Sequence, residues 1–207
     1  MLSNAQIDLF NQYENFQSQD IEKISGLQYV ESYLTIKEHN DLIQMIDSAE
    51  WINDLSRRVQ HYGFRYDYKA RRIDLSMRIG KLPFWAEVIA YDLFKKGFFD
   101  SIPDQVIVNE YLPGQGITPH IDCEPCFDGT LVSISLGSDC IMDFTNPMTH
   151  EKIPLLLADR SMVILKGDSR YIWKHGIAPR LTDKYHGLVY KRKRRVSLTF
   201  RKTIIAP

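Results

Sequence analysis

From residue 105 onward the chain is a succession of short apolar runs cut apart by turn residues. QVIVNEYL, TLVSISLG, CIMDFT, KIPLLL, SMVILKG, YIWKH and RRVSLTFRK follow one another, with Gly, Pro, Asp or Asn between them. Runs this short are poor helices but good strands, and Val, Ile, Thr, Tyr and Phe recur in them. Many short strands at such spacing close into a sandwich, a jelly roll or a small barrel. The class expected is α+β with a mainly β core.

Up to about Gly97 the texture is partly helical. Thr35-x-x-Glu38 is a capping-box pattern and predicts a helix running through Leu42, Ile43 and Ile46. Pro83 suits a first helical position and Gly97 a stop, which predicts a second helix with Phe84, Trp85, Val88, Ile89 and Leu93 near one face. Between them, residues 57–74 read RRVQHYGFRYDYKARRID. Tyr62, Phe64, Tyr66 and Tyr68 recur at every second position, which predicts a strand or hairpin with one aromatic face. Either that face packs on the core, or it forms a rim that stacks a planar ligand while intervening cations such as Arg65 meet phosphates.

With 44% hydrophobic and 25% charged residues, the composition excludes disordered, collagen-like and multi-span membrane classes. A formal net charge of zero argues against a strong global pull on nucleic acid, but the zero hides clusters at Arg57-Arg58, at Lys69 with Arg71-Arg72, and at Lys191 to Arg195. The N-terminus is polar and lacks the basic-then-apolar signal pattern, so a cytoplasmic or nuclear placement is expected, with no membrane. Cys123, Cys126 and Cys140 are then expected to be reduced. The CEPC motif has no second cysteine pair to complete a zinc site and no redox-type βαβ context.

His120-Ile121-Asp122 carries the chemistry. In a strand, residues two apart project to one face, so this imidazole and carboxylate can meet one ion. A second histidine would complete a two-His, one-carboxylate set, which leaves iron open positions for a bidentate co-substrate and O₂. Of the other histidines, His39 falls in the first predicted helix, His61 in the aromatic segment, His150 in a polar turn and His186 in a loop. His175 alone ends a strand-like run. In the last run Arg195, Ser197, Thr199 and Arg201 share one face while Val196, Leu198 and Phe200 share the other, placing two arginines toward a cavity or toward solvent. Arginine suits a bidentate grip on a carboxylate. Asn109 and Tyr111 share a face upstream, each offering a neutral hydrogen bond.

NEYLPGQGITPHID, then WKHGIAPR, then RVSLTFR, resembles the AlkB family of iron(II)/2-oxoglutarate dioxygenases. The family order of N-x-Y, H-x-D, a distant His and two arginines six apart is complete between residues 105 and 203, and similarity is fainter before that. The resemblance implies a double-stranded β-helix (jelly-roll) catalytic core at about 105–203. Residues 1–100 or so would supply helical support and a nucleotide-recognition lid, all within one domain of residues 1–207. It implies Fe(II) at His120, Asp122 and His175, and 2-oxoglutarate held by Asn109, Tyr111 and Arg195. Arg201 would lie at the metal-proximal end and help fix Asp122, with O₂ as the other co-substrate.

Glu124 falls where base-repairing members carry an acidic residue that reads an exocyclic amino group; a plain loop carboxylate is the equal alternative. The lid would bring Tyr62, Phe64, Tyr66, Tyr68 and Arg65 toward a flipped or single-stranded base. Ser197 departs from the Asn that some members carry there. The implied activity is oxidative demethylation of 1-methyladenine or 3-methylcytosine type bases in DNA or RNA, by a monomer. The rival readings are hydroxylation of a modified wobble uridine in tRNA, a protein substrate or, in a different class, a non-catalytic metal-binding jelly-roll module.

Overall fold

Alternation along the last strand decides the architecture. In this computed structural model, which describes residues 20–53 and 56–205, the strands are β1 (Leu27–Val30), β2 (Val59–Tyr62), β3 (Gln105–Tyr111), β4 (Ile117–His120), β5 (Phe127–Gly137), β6 (Cys140–Thr145), β7 (Lys152–Leu157), β8 (Met162–Leu165), β9 (Lys174–Ile177), β10 (Thr182–Tyr185), β11 (Leu188–Lys191) and β12 (Arg195–Thr203). A six-stranded sheet runs β1-β8-β5-β12-β3-β2 and a four-stranded sheet runs β4-β9-β6-β7, while β10 and β11 form a separate hairpin. All the pairings are antiparallel. This is the two-sheet jelly roll that the resemblance implies.

Strand β12 lies between β5 and β3, so it has a neighbour on each edge and a layer on each face. On one face Val196, Leu198 and Phe200 join Val106, Val108, Val132, Ile134, Leu136, Met162 and Ile164 in an apolar layer with two helices. These are α1 (Ile36–Asp47) and α2 (Phe84–Lys95). The capping box of α1 is present: the Thr35 hydroxyl accepts from the Glu38 amide at 3.2 Å, and the Glu38 carboxylate accepts from the Thr35 amide at 2.8 Å. Pro83 serves α2 as N-cap rather than as its first residue. On the other face of β12, apolar residues of both sheets, among them Leu131, Val163, Met142, Phe144, Leu155 and Ile177, form a second cluster around the cavity described below.

Two expectations need correction. The aromatic segment is not one continuous strand: β2 stops at Tyr62, and Gly63 follows at φ +80° with no room for a Cβ, which would sit 1.9 Å from the Asp104 carbonyl oxygen. Beyond this kink the pleat no longer carries its phase, so Tyr62 and Phe64 end in different layers, Tyr62 edge-on against Trp85 of α2 and Phe64 in the inter-sheet cluster. The run YIWKH is likewise divided. Tyr171 closes a short helix, α3 (Gly167–Tyr171), and only Lys174–Ile177 is strand.

The basic run at 191–195 is structural in part. Glu110, whose side chain is only 2% exposed, accepts from Arg58 through two nitrogens and from Arg194 Nε at 2.6 Å; Arg194 also reaches Asp47 at the end of α1. Burial raises the Glu110 carboxyl's pKa, but the two guanidiniums outweigh it and hold the group below its ordinary value of 4.5. A carboxyl depressed on folding contributes stability that is present above the unfolded value and lost as pH falls through the folded one. Glu110→Gln is therefore expected to lower unfolding stability by about 1–3 kcal/mol near neutral pH. The gap from wild type should narrow in acid below 4.5; urea melts across that range measure both.

Candidate metal and co-substrate site

His120 and His175 face each other directly across the β4–β9 pairing. The strands can approach this closely because residue 176 is glycine: a Cβ there would lie 2.8 Å from the Pro119 backbone nitrogen. Asp122 lies beyond the end of β4, so the loop, not the pleat, brings its carboxylate to the histidines. Its Oδ1 is 3.2 Å from His120 Nε2 and 3.8 Å from His175 Nε2. One ligand atom from each residue falls within a 4.8 Å span. The Thr118 carbonyl oxygen is 2.9 Å from His120 Nδ1, an acceptor that favours a proton there and leaves the Nε2 lone pair for an ion.

The electrostatics suit a cation. Burial raises the Asp122 carboxyl's pKa, yet the Arg201 guanidinium and the two imidazoles overcome it and hold the group well below the usual carboxylate range. Arg201 Nε donates to Asp122 Oδ2 at 2.7 Å, leaving Oδ1 on the histidine side. Burial, reinforced by His120, pushes His175 down to about 3, so its imidazole stays neutral and able to coordinate. Two neutral nitrogens and one ionised carboxylate oxygen are a donor set that Fe(II) accepts.

A cavity of about 330 Å³ opens beside this group. Its polar wall follows from strand register. Asn109 stands opposite Ser197 and Tyr111 opposite Arg195 across β3–β12, while Ser197 faces Ser135 and Thr199 faces Ser133 across β12–β5. Arg195 is 3% exposed; one terminal nitrogen donates to the Ser135 hydroxyl at 2.8 Å, while its Nε has no hydrogen-bond partner among the described residues. A buried guanidinium N–H without an acceptor fits an incoming carboxylate. Asn109 is 7% exposed, and its amide oxygen accepts from Arg57 Nε at 2.9 Å, which leaves the amide N–H₂ to donate elsewhere.

The aromatic segment contributes only in part. Tyr66 and Tyr68 line the cavity in mutual edge-to-face contact at 5.0 Å, and Tyr66 also packs near Phe127 at 5.5 Å. The Tyr68 hydroxyl is buried without a hydrogen-bond partner among the described residues. Tyr62 and Phe64 are committed to the packing layers, Arg65 is exposed, and Glu124 is exposed on the loop; none of the four lines the cavity.

Several residues at the site escaped the sequence reading. Arg57 lines the cavity and stands over the Tyr111 ring on one side, as Arg195 does from elsewhere, at 5.6 and 5.5 Å. Gln105 accepts from Arg201 at 3.4 Å. Arg170 of α3, 1% exposed, donates to the carbonyls of Asp122 (3.0 Å), Cys123 (3.3 Å) and Phe127 (3.2 Å) and so clamps the ligand loop. In KGDSRYIWKH this arginine follows polar residues, and nothing in the local pattern signalled it. The cysteines, expected reduced, are another correction: the turn after Asp122 brings the Cys123 and Cys126 Cα atoms to 5.3 Å and a disulfide joins them, while Cys140 is free and buried.

Comparison with known proteins agrees with this geometry. Residues 45–201 match the profile of the 2OG-Fe(II) oxygenase superfamily. An uncharacterized protein, L905, of Acanthamoeba polyphaga mimivirus is 35% identical over 92% of this chain and 91% of its own length. The probable RNA/DNA demethylase ALKBH6 of Danio rerio is 30% identical over 72% of this chain and 68% of its own. The tRNA (carboxymethyluridine(34)-5-O)-methyltransferase alkbh8 of Xenopus tropicalis is 32% identical over 88% of this chain, which spans only 32% of that relative's length. Among solved structures, OsALKBH1 superposes with a TM-score of 0.67 at 17% identity, over 86% of this chain and 96% of its own, a likeness of fold. With two facing histidines, an arginine-held carboxylate and a buried guanidinium in one cavity, and with these matches, the chain belongs to the AlkB branch of the 2OG-Fe(II) oxygenase superfamily.

Proposed function

We propose that this chain oxidatively demethylates N-alkylated nucleobases of the 1-methyladenine and 3-methylcytosine type in DNA or RNA. The observation that carries the reading is a single cavity lined together by the His120–Asp122–His175 group, Arg195 and the tyrosine pair Tyr66–Tyr68. His120, Asp122 and His175 would hold Fe(II), which with 2-oxoglutarate and O₂ would supply the oxidation of the methyl C–H bond, giving succinate, CO₂ and formaldehyde. Arg195, with Tyr111 and Asn109, would hold the distal carboxylate of 2-oxoglutarate; Arg57 donates to the Asn109 amide oxygen and so orients its N–H₂. Arg201 keeps Asp122 ionised and aimed. Tyr66 and Tyr68 offer ring faces and edges to a base delivered out of the stack. Relatives named for RNA/DNA and N6-methyl adenine demethylation support this substrate class.

A second reading is hydroxylation of a modified wobble uridine in tRNA. Glu124, the acidic residue that favours repair of amino-bearing bases, is exposed and outside the cavity wall, whereas Arg57 and Arg71 line it. Relatives named for carboxymethyluridine in tRNA support a substrate of that kind. In either case the nucleic acid reaches the site by local contacts, since the chain has no net positive charge. Among the described residues no helix is long and apolar enough to cross a membrane.

One assay separates the readings. The chain is incubated with Fe(II), ascorbate and 2-oxoglutarate, and oligonucleotide mass and succinate are followed together. Loss of a methyl mass from single strands carrying 1-methyladenine or 3-methylcytosine, absent with His120→Ala, is the expected outcome. Gain of one oxygen on an anticodon stem-loop bearing a carboxymethyl-type uridine selects the second reading, and no change on either class overturns a nucleic-acid substrate. Arg195→Met is expected to raise the KM for 2-oxoglutarate roughly ten- to hundredfold, the loss of a buried charge-assisted hydrogen bond; His175 and Asp122 are untouched by that change, so metal affinity should hold.

A further inference from the structure

We propose that Cys123 and Cys126 are a reversible redox site whose state sets how firmly residues 66–72 are fastened to the metal-ligand loop. The pair begins one residue past Asp122, both cysteines are 2% exposed, and Cys123 lines the cavity, which gives small oxidants and thiols a route in. A disulfide closing so short a loop removes little entropy from the unfolded chain, so it is a weak staple for the fold. Its surroundings are organised for a different use.

Both sulfurs rest against one backbone oxygen, the Arg71 carbonyl, at 3.1 Å from Cys123 Sγ and 3.4 Å from Cys126 Sγ. A disulfide has no hydrogen to give that oxygen; a dithiol has two. The acceptor for the reduced state is thus already in place, and it belongs to the segment that carries Tyr66 and Tyr68. Arg71 is held in the left-handed region at φ +48°, which costs energy for a residue with a Cβ, and its guanidinium donates to the Ile121 carbonyl at 3.1 Å. On the other side of the loop Arg170 holds the carbonyls of Asp122, Cys123 and Phe127 in place. With the loop clamped there, the change in sulfur chemistry acts on the Arg71 side.

Oxidation joins the two sulfurs and releases two protons and two electrons; a hydroperoxide takes them up, its O–O bond breaking to leave water and the corresponding alcohol, or two waters from hydrogen peroxide. Reduction runs by exchange with a small dithiol, which attacks one sulfur, frees the other as a thiol and closes into its own disulfide. The reduced pair donates S–H hydrogen bonds to Arg71 and fastens the segment; the oxidised pair cannot. The inference does not depend on which nucleic acid is the substrate.

The test compares the whole protein equilibrated with excess dithiothreitol and with hydrogen peroxide, each then desalted. Alkylation and mass spectrometry after unfolding count free thiols, and hydrogen exchange is read over residues 66–72. The expected result is full interconversion at Cys123 and Cys126 with Cys140 unchanged, and exchange across 66–72 roughly three- to tenfold faster in the oxidised form. Cys123→Ser with Cys126→Ser, which restores hydroxyl donors, should exchange slowly under both treatments, and the corresponding double alanine variant quickly under both. Equal exchange in the two redox states of the wild-type chain overturns the proposal. So does a pair that neither reagent interconverts while the protein stays folded.

Discussion

An ionised carboxylate removed from water has to be matched by a cation, and much of this structure is arranged around meeting that demand at Asp122. The match is Arg201, and its position in β12 matters as much as its charge. That strand is hydrogen-bonded on both edges and covered on both faces, so the guanidinium is presented from the part of the fold least free to move. The Gln105 side chain holds one of its other nitrogens, and the Phe127 ring lies against it at 4.9 Å. Asp122 therefore sits on a loop without inheriting a loop's freedom. The same strand that fixes the metal's carboxylate also carries, six residues earlier, the arginine that faces the other end of the cavity.

Much of this could be read from the chain, and for one reason: period-two alternation survives in β12 and β3. Val196, Leu198 and Phe200 against Arg195, Ser197, Thr199 and Arg201 is a pattern in which two faces meet two different environments, and the structure separates them accordingly. Asn109 and Tyr111 follow the same logic and stand directly opposite Ser197 and Arg195. The capping box at Thr35 was equally legible because its two hydrogen bonds are local, spanning three residues.

Alternation fails as a guide where the backbone leaves the pleat. Tyr62, Phe64, Tyr66 and Tyr68 keep the spacing but not the face, because Gly63 turns the chain between the first and the rest. The H-x-D spacing suggested a strand, yet Asp122 lies past the end of β4 and depends on Arg170 for its path, a partner forty-eight residues away that no local pattern announces. Glu124 illustrates the same limit: proximity in sequence to Asp122 did not bring it into the cavity. The cysteines were misread because compartment was used to infer their state, when a three-residue separation in a tight turn had already set the sulfurs side by side.

Gly176 sets the distance between the two histidines where their strands pair, so that spacing is decided locally, by a missing methyl group. The long excursion between Asp122 and His175 meets the ligands, among the described residues, where β6 pairs with β9 and where Arg170 of α3 holds the ligand loop. The exposed turns that join the strands of that excursion can lengthen, shorten or acquire new contacts without recalibrating that spacing, as surface connections generally do. A chain built this way can change what it recognises while the instrument at its centre keeps its gauge.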